Sequence, residues 1–444
     1  MSDLQWKTFK EYNFSGVGTE THLFSHLQKL FGADVFLSSE GRSLCCLFPA
    51  AEFQFSKDST REDIRAFAFD ESCAGPCCGF ISYEFGLHLR GVVSHKPKND
   101  FPYGVLKKYQ LVLAVDDGKL RVEGAVESTL VEGSLVNLAL QEIAQFFSTT
   151  YSKYSHSKSP HTIPEIAPPV LTSSISAAGY TAGVADVLEY IRDGHTYQLN
   201  YSIRYTLEDV QLDIPALFYA LYEKWPAKFY AYFVTGSYEI LSTSPELFLR
   251  VNDGHVLTQP IKGTLAFEEY SPELHKQVTD SPKESAELSM IVDLMRNDIS
   301  SCCKYASVRV ENHKSIFVVD KLLQMYSDVH GELRADRDCI DLLWETLPGG
   351  SVTGCPKKRS LEVIDTLEPH SRDVYCGSFV VIDGPRDMES SIAIRTGYQD
   401  LQEDKFHFFA GSGIVVDSEP EKEYKETVAK AGKFFDIFGV TRSG

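Results

Sequence analysis

Between residues 229 and 261 the sequence sets strand-like runs back to back, joined by short turns that carry Gly or Asn-Asp-Gly. Such turns return the chain beside the strand it has just left, so these runs pair antiparallel. The helical patterns lie elsewhere: residues 180–194, 215–224, two segments after 281, and a long final stretch. Strand runs and helices are segregated instead of alternating as βαβ units. This predicts an α+β fold, with antiparallel sheets covered by helices.

Residues 1–150 read as short strands with polar turns, ending in a helical pattern from 135 to 147. Asp116-Asp-Gly-Lys is a hairpin signal, and Gly79-Phe-Ile-Ser-Tyr-Glu-Phe-Gly reads as a tightly packed strand. No catalytic constellation falls in this part, which is taken as an N-terminal subdomain. Residues 151–170, rich in Ser, Pro and Lys, form a linker-like surface excursion. Residues 171–444 carry the polar motifs. At 444 residues the chain is long enough for one large core or for two or three conventional domains.

A net charge of −19 argues against nucleic acid or an anionic membrane as partner. No apolar run reaches the roughly 20 residues a spanning helix needs. The ten cysteines include the adjacent pairs Cys45-Cys46, Cys77-Cys78 and Cys302-Cys303, a poor disulfide framework. With a polar N-terminal segment, they point to a reducing cytoplasm. Cys73, Cys77 and Cys78 lack a second cluster that would complete a metal site and read as buried thiols.

Four constellations carry chemistry. Asn252-Asp253-Gly254 turns one strand into another and brings Glu246 and Lys262 to the open end of a hairpin. A three-residue loop puts them on one face; a two-residue loop puts them on opposite faces. A carboxyl beside an amine suits acid–base or nucleophilic chemistry, and equally an ordinary cross-strand ion pair. Ser281-Pro-Lys-Glu284 and Ser418-Glu-Pro-Glu421 open two helices as capping boxes. Glu284 and Glu287 share a face of the first; Glu423, Glu426 and Lys430 share a face of the second. Oxygen ligands from two helices would suit Mg2+, and solvated surface glutamates are the plain alternative. Gly411-Ser-Gly413, read as a loop before the last helix, offers backbone amides to an anion. Pro348-Gly-Gly-Ser-Val-Thr-Gly-Cys-Pro-Lys357 reads as a mobile or anion-facing wall. Arg395, near the end of a half-buried strand, needs an anionic partner.

Taken together, Ser244-Pro-Glu-Leu-Phe248, Pro260-Ile-Lys-Gly-Thr264, Met290-Ile-Val-Asp-Leu-Met-Arg-Asn-Asp298, Pro348-Gly-Gly-Ser-Val-Thr-Gly354, Ile394-Arg-Thr396 and Gly411-Ser-Gly-Ile-Val415 resemble the chorismate-utilising enzymes. The resemblance is close from about residue 180 to 438, and within the family it is closest to aminodeoxychorismate synthase component I. It implies two antiparallel β-sheets packed as a sandwich with helices outside. It also implies chorismate as substrate, Mg2+ as cofactor and a glutamine amidotransferase partner that supplies ammonia. Carried over to this chain, Glu287 and Glu426 resemble the metal ligands, with Glu284 and Glu423 holding its waters. Tyr375 and Arg395 would receive the pyruvyl carboxylate; Gly411, Gly413 and Lys430 would receive the ring carboxylate. Gln198 and Thr264 join the substrate-binding set. Glu246 would be the general acid.

Two positions divide that family. Where its isochorismate and salicylate branch has a water-activating lysine, the matching position here resembles Gln198, so water activation is not expected. Where anthranilate synthase typically has alanine after Pro-Ile, this chain has Lys262, as in aminodeoxychorismate synthase. The resemblance therefore implies amination of chorismate to 4-amino-4-deoxychorismate, on the folate route. Anthranilate synthase, or a chorismate-binding homologue with reduced or no catalysis, are the alternatives. Gln324 stands where the family usually has histidine, with His330 six residues on, and the usual arginine soon after Thr264 is missing.

Overall fold

The computed structural model describes residues 6–13, 19–97, 99–125, 134–150, 161, 163, 169–267, 271–319 and 322–440. Every strand pairing among them is antiparallel. Followed from neighbour to neighbour, the strands form two layers. The first runs Val170–Ser173, Gln198–Glu208, Lys405–Val415, Thr396–Asp400, Tyr238–Ser244, Phe229–Thr235, Asp34–Leu37, Ser43–Gln54, Gly104–Asp116, Lys119–Ala125 and Trp6–Asn13. The second runs Gly104–Asp116, Cys77–Ile81, Ser378–Gly384, Asp387–Ile392, Leu247–Asn252, His255–Thr258, Leu322–Glu332 and Arg309–Val319. Gly104–Asp116 serves both layers. Its partner Ser43–Gln54 carries a bulge between Pro49 and Ala51, where a local bend turns one sheet into the other.

The layers pack face to face through aromatic contacts. Phe80 meets Phe233 at 5.7 Å between ring centroids, and Phe36 meets Phe379 at 6.4 Å, each pair edge to face. Each such ring contributes about 2–3 kcal/mol by leaving water. Strands from the first 125 residues lie inside both layers, so both halves of the sequence share one core. Helices cover the outside. Phe434 and Phe438 of the helix Pro420–Phe438 pack on Phe406 and Phe408 of Lys405–Val415. The helix Pro282–Ser300 lies over Ile261–Ala266 and Leu322–Glu332. The α+β sandwich with outer helices is thus the observed architecture.

Twice the chain crosses between layers at the same place. Tyr238–Ser244 belongs to the first layer and Leu247–Asn252 to the second, so the crossing is Pro245-Glu246. Asp387–Ile392 belongs to the second layer and Thr396–Asp400 to the first, so that crossing is Ala393-Ile394-Arg395. The two crossings are stitched together. The Ile392 amide donates to the Glu246 carbonyl at 3.1 Å, the Thr243 amide to the Arg395 carbonyl at 3.1 Å, and the Ser244 hydroxyl to the Ile392 carbonyl at 2.6 Å.

One open alternative is decided and several local expectations need correction. The hairpin loop is the two-residue Asp253-Gly254, with both φ positive (47° and 78°), the preferred geometry for a tight return. The strand expected from Gly79 ends at Ile81, and Ser82 caps a helix, Tyr83–Leu89. Gly411-Ser412-Gly413 is no loop, because Lys405–Val415 continues through it opposite Asn200–Ser202. Ser418 does not cap the final helix: Glu419 holds that position without a side-chain bond. The glycine-rich loop from 349 to 353 is buried, with Ser351 and Val352 on the cavity described below, while Lys357 is engaged in a buried ion pair with Asp298 at 2.6 Å. Most of the linker-like stretch lies outside the described residues. No described helix is long and apolar enough to cross a membrane. All ten cysteines are free thiols.

Candidate active site

The two layer crossings form one wall of a polar cavity, and four further elements supply much of the rest. Ile261–Ala266 contributes Lys262, Pro282–Ser300 contributes Glu284 and Glu287, Lys405–Val415 contributes Gly411 and Gly413, and Pro420–Phe438 contributes Glu426 and Lys430. Glu246, Tyr375, Arg395, Asn200, Gln324 and Ser351 complete the lining. Ten of the residues singled out in the sequence therefore meet in one place.

The hairpin register does not bring Glu246 and Lys262 together. A two-residue loop assigns them to opposite faces. Glu246 escapes that rule because it sits in the layer crossing, before the strand Leu247–Asn252 begins. Lys262 lies beyond a break at Gln259-Pro260 and just before a bulge, where Gly263 has φ +67°. Both side chains then reach Ser351. Its hydroxyl donates to Glu246 Oε1 at 2.5 Å, and its carbonyl accepts from Lys262 Nζ at 3.2 Å. Burial pushes the Glu246 carboxyl up to about 7, although Ser351, Lys262, Lys430 and Arg395 all pull it down. A carboxyl with that value holds its proton near neutrality and can donate it.

Arg395 lies at φ +51°, a left-handed conformation disfavoured for a residue with a Cβ. The crossing imposes it, and it is the kind of backbone strain that functional sites retain. Tyr375 stacks on Phe409 at 5.1 Å with 7° between ring planes. It lies in a turn before its strand, between two residues of positive φ, Asp373 (55°) and Cys376 (63°). Beyond Phe408 the strand Lys405–Val415 loses its neighbour Thr396–Asp400, so its second edge opens on the cavity. A Cβ on Gly411 would come within 2.7 Å of the Tyr201 carbonyl and 2.8 Å of Asn200 Oδ1, which explains the glycine. Lys430 Nζ donates to the Gly411 carbonyl at 3.2 Å and pairs with Glu426 at 2.7 Å.

Three sequence-derived residues stand apart. Gln198 is buried on the same strand face as Asn200 but one pleat away, outside the lining. Glu423 is buried and accepts from the Ser418 hydroxyl at 2.6 Å, also outside the lining. Thr264 pairs with Gln324 across the strands; its side chain lies outside the described residues. His330 pairs with Glu311 at 3.6 Å, away from the cavity.

Sequence reading missed Asn200 as a wall residue and, within the glycine-rich wall it did expect, did not single out Ser351. Asn200 was signalled only by its two-residue spacing from Gln198, and Ser351 only as the hydroxyl within a run of glycines. It also missed the support beneath them. Arg372, fully buried, donates to both oxygens of Glu368 at 2.7 and 2.9 Å, to the Val352 carbonyl at 2.9 Å and to the Asn200 carbonyl at 2.7 Å. Burial works against the Glu368 charge, but Arg372 beside it holds the carboxyl below its usual range. Asn200 Oδ1 and Gln324 Oε1 are buried without a hydrogen-bond partner and line the cavity, so a ligand with donors would satisfy them.

Among the described residues no three His, Cys, Asp or Glu side chains form a preassembled metal cage. The cavity does hold Glu284, Glu287 and Glu426, oxygen donors of the sort Mg2+ takes together with water and substrate oxygens.

The chorismate binding enzyme family matches residues 36–436. Aminodeoxychorismate synthase component 1 of Bacillus subtilis is 32% identical over 368 residues, covering 80% of this chain and 75% of that protein. Anthranilate synthase component 1 of Cereibacter sphaeroides is 35% identical over 264 residues, covering 59% of this chain and 52% of that protein, so the match spans about half the length of that relative. The crystal structure of anthranilate synthase component I from Streptococcus pneumoniae superposes with a TM-score of 0.74 at 24% identity, covering 90% of this chain and 92% of that one, a likeness of fold. With the match running through both sheets and every wall of the cavity, this chain belongs to the chorismate binding enzyme family.

Proposed function

We propose that this protein is the chorismate-aminating component of an aminodeoxychorismate synthase, converting chorismate and ammonia to 4-amino-4-deoxychorismate. The observation that carries the reading is the pair Lys262 and Glu246, one amine and one carboxyl whose pKa burial raises, both bonded to the same residue. The Lys262 amine attacks C2 of the ring as the C4–O bond breaks, and Glu246 gives its proton to the departing hydroxyl, which leaves as water. Ammonia then attacks C4, and the C2–N bond breaks to return the lysine. Arg395 and Tyr375 hold the pyruvyl carboxylate; the open strand edge at Gly411 and Gly413, with Lys430, holds the ring carboxylate. Glu287 and Glu426 would hold Mg2+, with Glu284 near its waters. Glu423, tied to Ser418 outside the lining, fits that role poorly. When bound, Mg2+ supplies positive charge against the substrate carboxylates. Ammonia comes from a glutamine amidotransferase partner.

A second reading, anthranilate formation, draws on relatives of that name at similar identity. A third, binding with reduced catalysis, draws on Gln324, whose amide cannot transfer protons as histidine can. Product analysis after turnover with chorismate, Mg2+ and ammonium separates them. Aminodeoxychorismate is expected; anthranilate, or binding without turnover, overturns the proposal.

A further inference from the structure

We infer that Ser351 is the positioning residue of this site, orienting the acid through its hydroxyl and the nucleophile through its carbonyl. The inference rests on the function proposed above for Glu246 and Lys262. Ser351 lies in the 3-10 turn Gly350–Val352, buried to 7% exposure. The turn is anchored from below by Arg372, which donates to the next carbonyl, Val352, at 2.9 Å. A side chain set on such a turn has little freedom to follow a moving partner, so its partners conform to it.

The hydroxyl donates to Glu246 Oε1, so the acidic proton belongs on Oε2, the oxygen not engaged by Ser351. When Glu246 delivers that proton to the leaving hydroxyl, it becomes a carboxylate. A hydrogen bond to a carboxylate is roughly twice as strong as one to a neutral acid. The Ser351 bond therefore strengthens as the C4–O bond breaks, and such differential stabilisation accelerates a step. On the other side, Lys262 spends one N–H on the Ser351 carbonyl, which turns the rest of the amine away from the loop and toward the cavity. A Cβ on Gly413 would lie 3.3 Å from Lys262 Nζ, so the opposite wall confines the amine as well.

Lys262 from Ile261–Ala266, Lys430 from Pro420–Phe438 and Arg395 from the layer crossing act on Glu246, and Glu284, Glu287 and Glu426 share the cavity with it. None of these changes when Ser351 is replaced, so a shift in Glu246 titration reports the Ser351 bond. The test is difference infrared titration of the substrate-free protein, with Glu246→Gln assigning the carboxyl band. It is paired with the pH profile of kcat/KM for ammonium-supported turnover at fixed Mg2+. Ser351→Ala should move the Glu246 midpoint upward by about one pH unit and lower kcat at least about tenfold. Ser351→Thr, which keeps the hydroxyl, should retain the wild-type midpoint and activity within a few-fold. Ser351→Cys, a far weaker donor, probes the same bond if the alanine variant does not fold. An unmoved midpoint in the alanine or cysteine variant, or a threonine variant that folds normally and titrates like alanine, overturns the inference. If the wild type makes a different product, the function proposed above falls, while the infrared titration still decides whether Ser351 sets the acid.

Discussion

Glu246→Gln should make the protein more stable at alkaline pH and leave it nearly unchanged at acid pH. The carboxyl is buried and its folded value is about 7, against an ordinary 4.5. A raised value means the folded state prefers the protonated form. The stability this group permits is complete below about 4.5 and is lost as pH rises through about 7. At about 1.4 kcal/mol per tenfold, the full difference is about 3 kcal/mol, most of which appears between pH 5 and pH 8. Glutamine keeps the Oε1 acceptor for Ser351 and cannot ionise, so it removes the alkaline cost and little else. Urea unfolding of both proteins at pH 5, 6.5 and 8, with chelator present, reads the effect as a widening gap in midpoint. Other buried groups that titrate in this window, such as Glu84 and Glu223, are common to both proteins and cancel. A gap of equal size at all three pH values would falsify the claim that Glu246 holds a proton at neutrality. The same variant should lose turnover, because the proton donor proposed above is then gone.

Lys262→Ala should remove nearly all aminodeoxychorismate formation, a loss of at least about 100-fold in kcat, while chorismate binding by calorimetry changes little; undiminished turnover would remove its covalent role. Gly411→Ala should weaken chorismate binding at least about tenfold, since its Cβ would sit within 3 Å of the Tyr201 carbonyl and Asn200 Oδ1. Binding at wild-type affinity in that variant would show that the strand edge does not touch the ligand.

The fold class was legible because strand spacing and turn residues are local signals. The sandwich was legible only by resemblance, since Gly104–Asp116 joins both layers through a bend that no periodicity marks. The hairpin turn was read correctly, yet its register misdirected the geometry of Glu246 and Lys262. Register arguments hold only inside a ladder, and Pro245 and Pro260 put both residues at its edges. The same holds for Arg395, which lies in the layer crossing and not in the strand expected around it. Gly411-Ser-Gly413 looked like a loop because glycine is rare within strands; here the glycines make room for Asn200 and leave an open edge. Arg372 and Glu368 were invisible, because a buried ion pair that supports a wall has no pattern until the wall is known.

The charges of the cavity argue for a divalent cation more strongly than the spacing of its glutamates does. Arg395 and Lys430 bring two positive charges to the lining, setting aside Lys262, which must be the free amine to attack; with Glu246 protonated, Glu284, Glu287 and Glu426 bring three negative ones. The site is then close to neutral within a chain of net charge −19. Chorismate carries two carboxylates, and placing both there without compensation sets them against three glutamates in a partly desolvated space. One divalent ion restores the balance beside those glutamates. Chorismate and Mg2+ should therefore bind cooperatively, each raising the affinity of the other by the same factor, of order 10- to 100-fold. Calorimetric titration of chorismate with and without Mg2+, and the reciprocal pair, measures that factor without any turnover. Glu287→Gln should shrink it, because neutralising one carboxylate removes both a ligand of the ion and part of the repulsion the ion offsets. Equal chorismate affinity in the presence and absence of Mg2+ would refute the charge argument and leave the three glutamates as spectators.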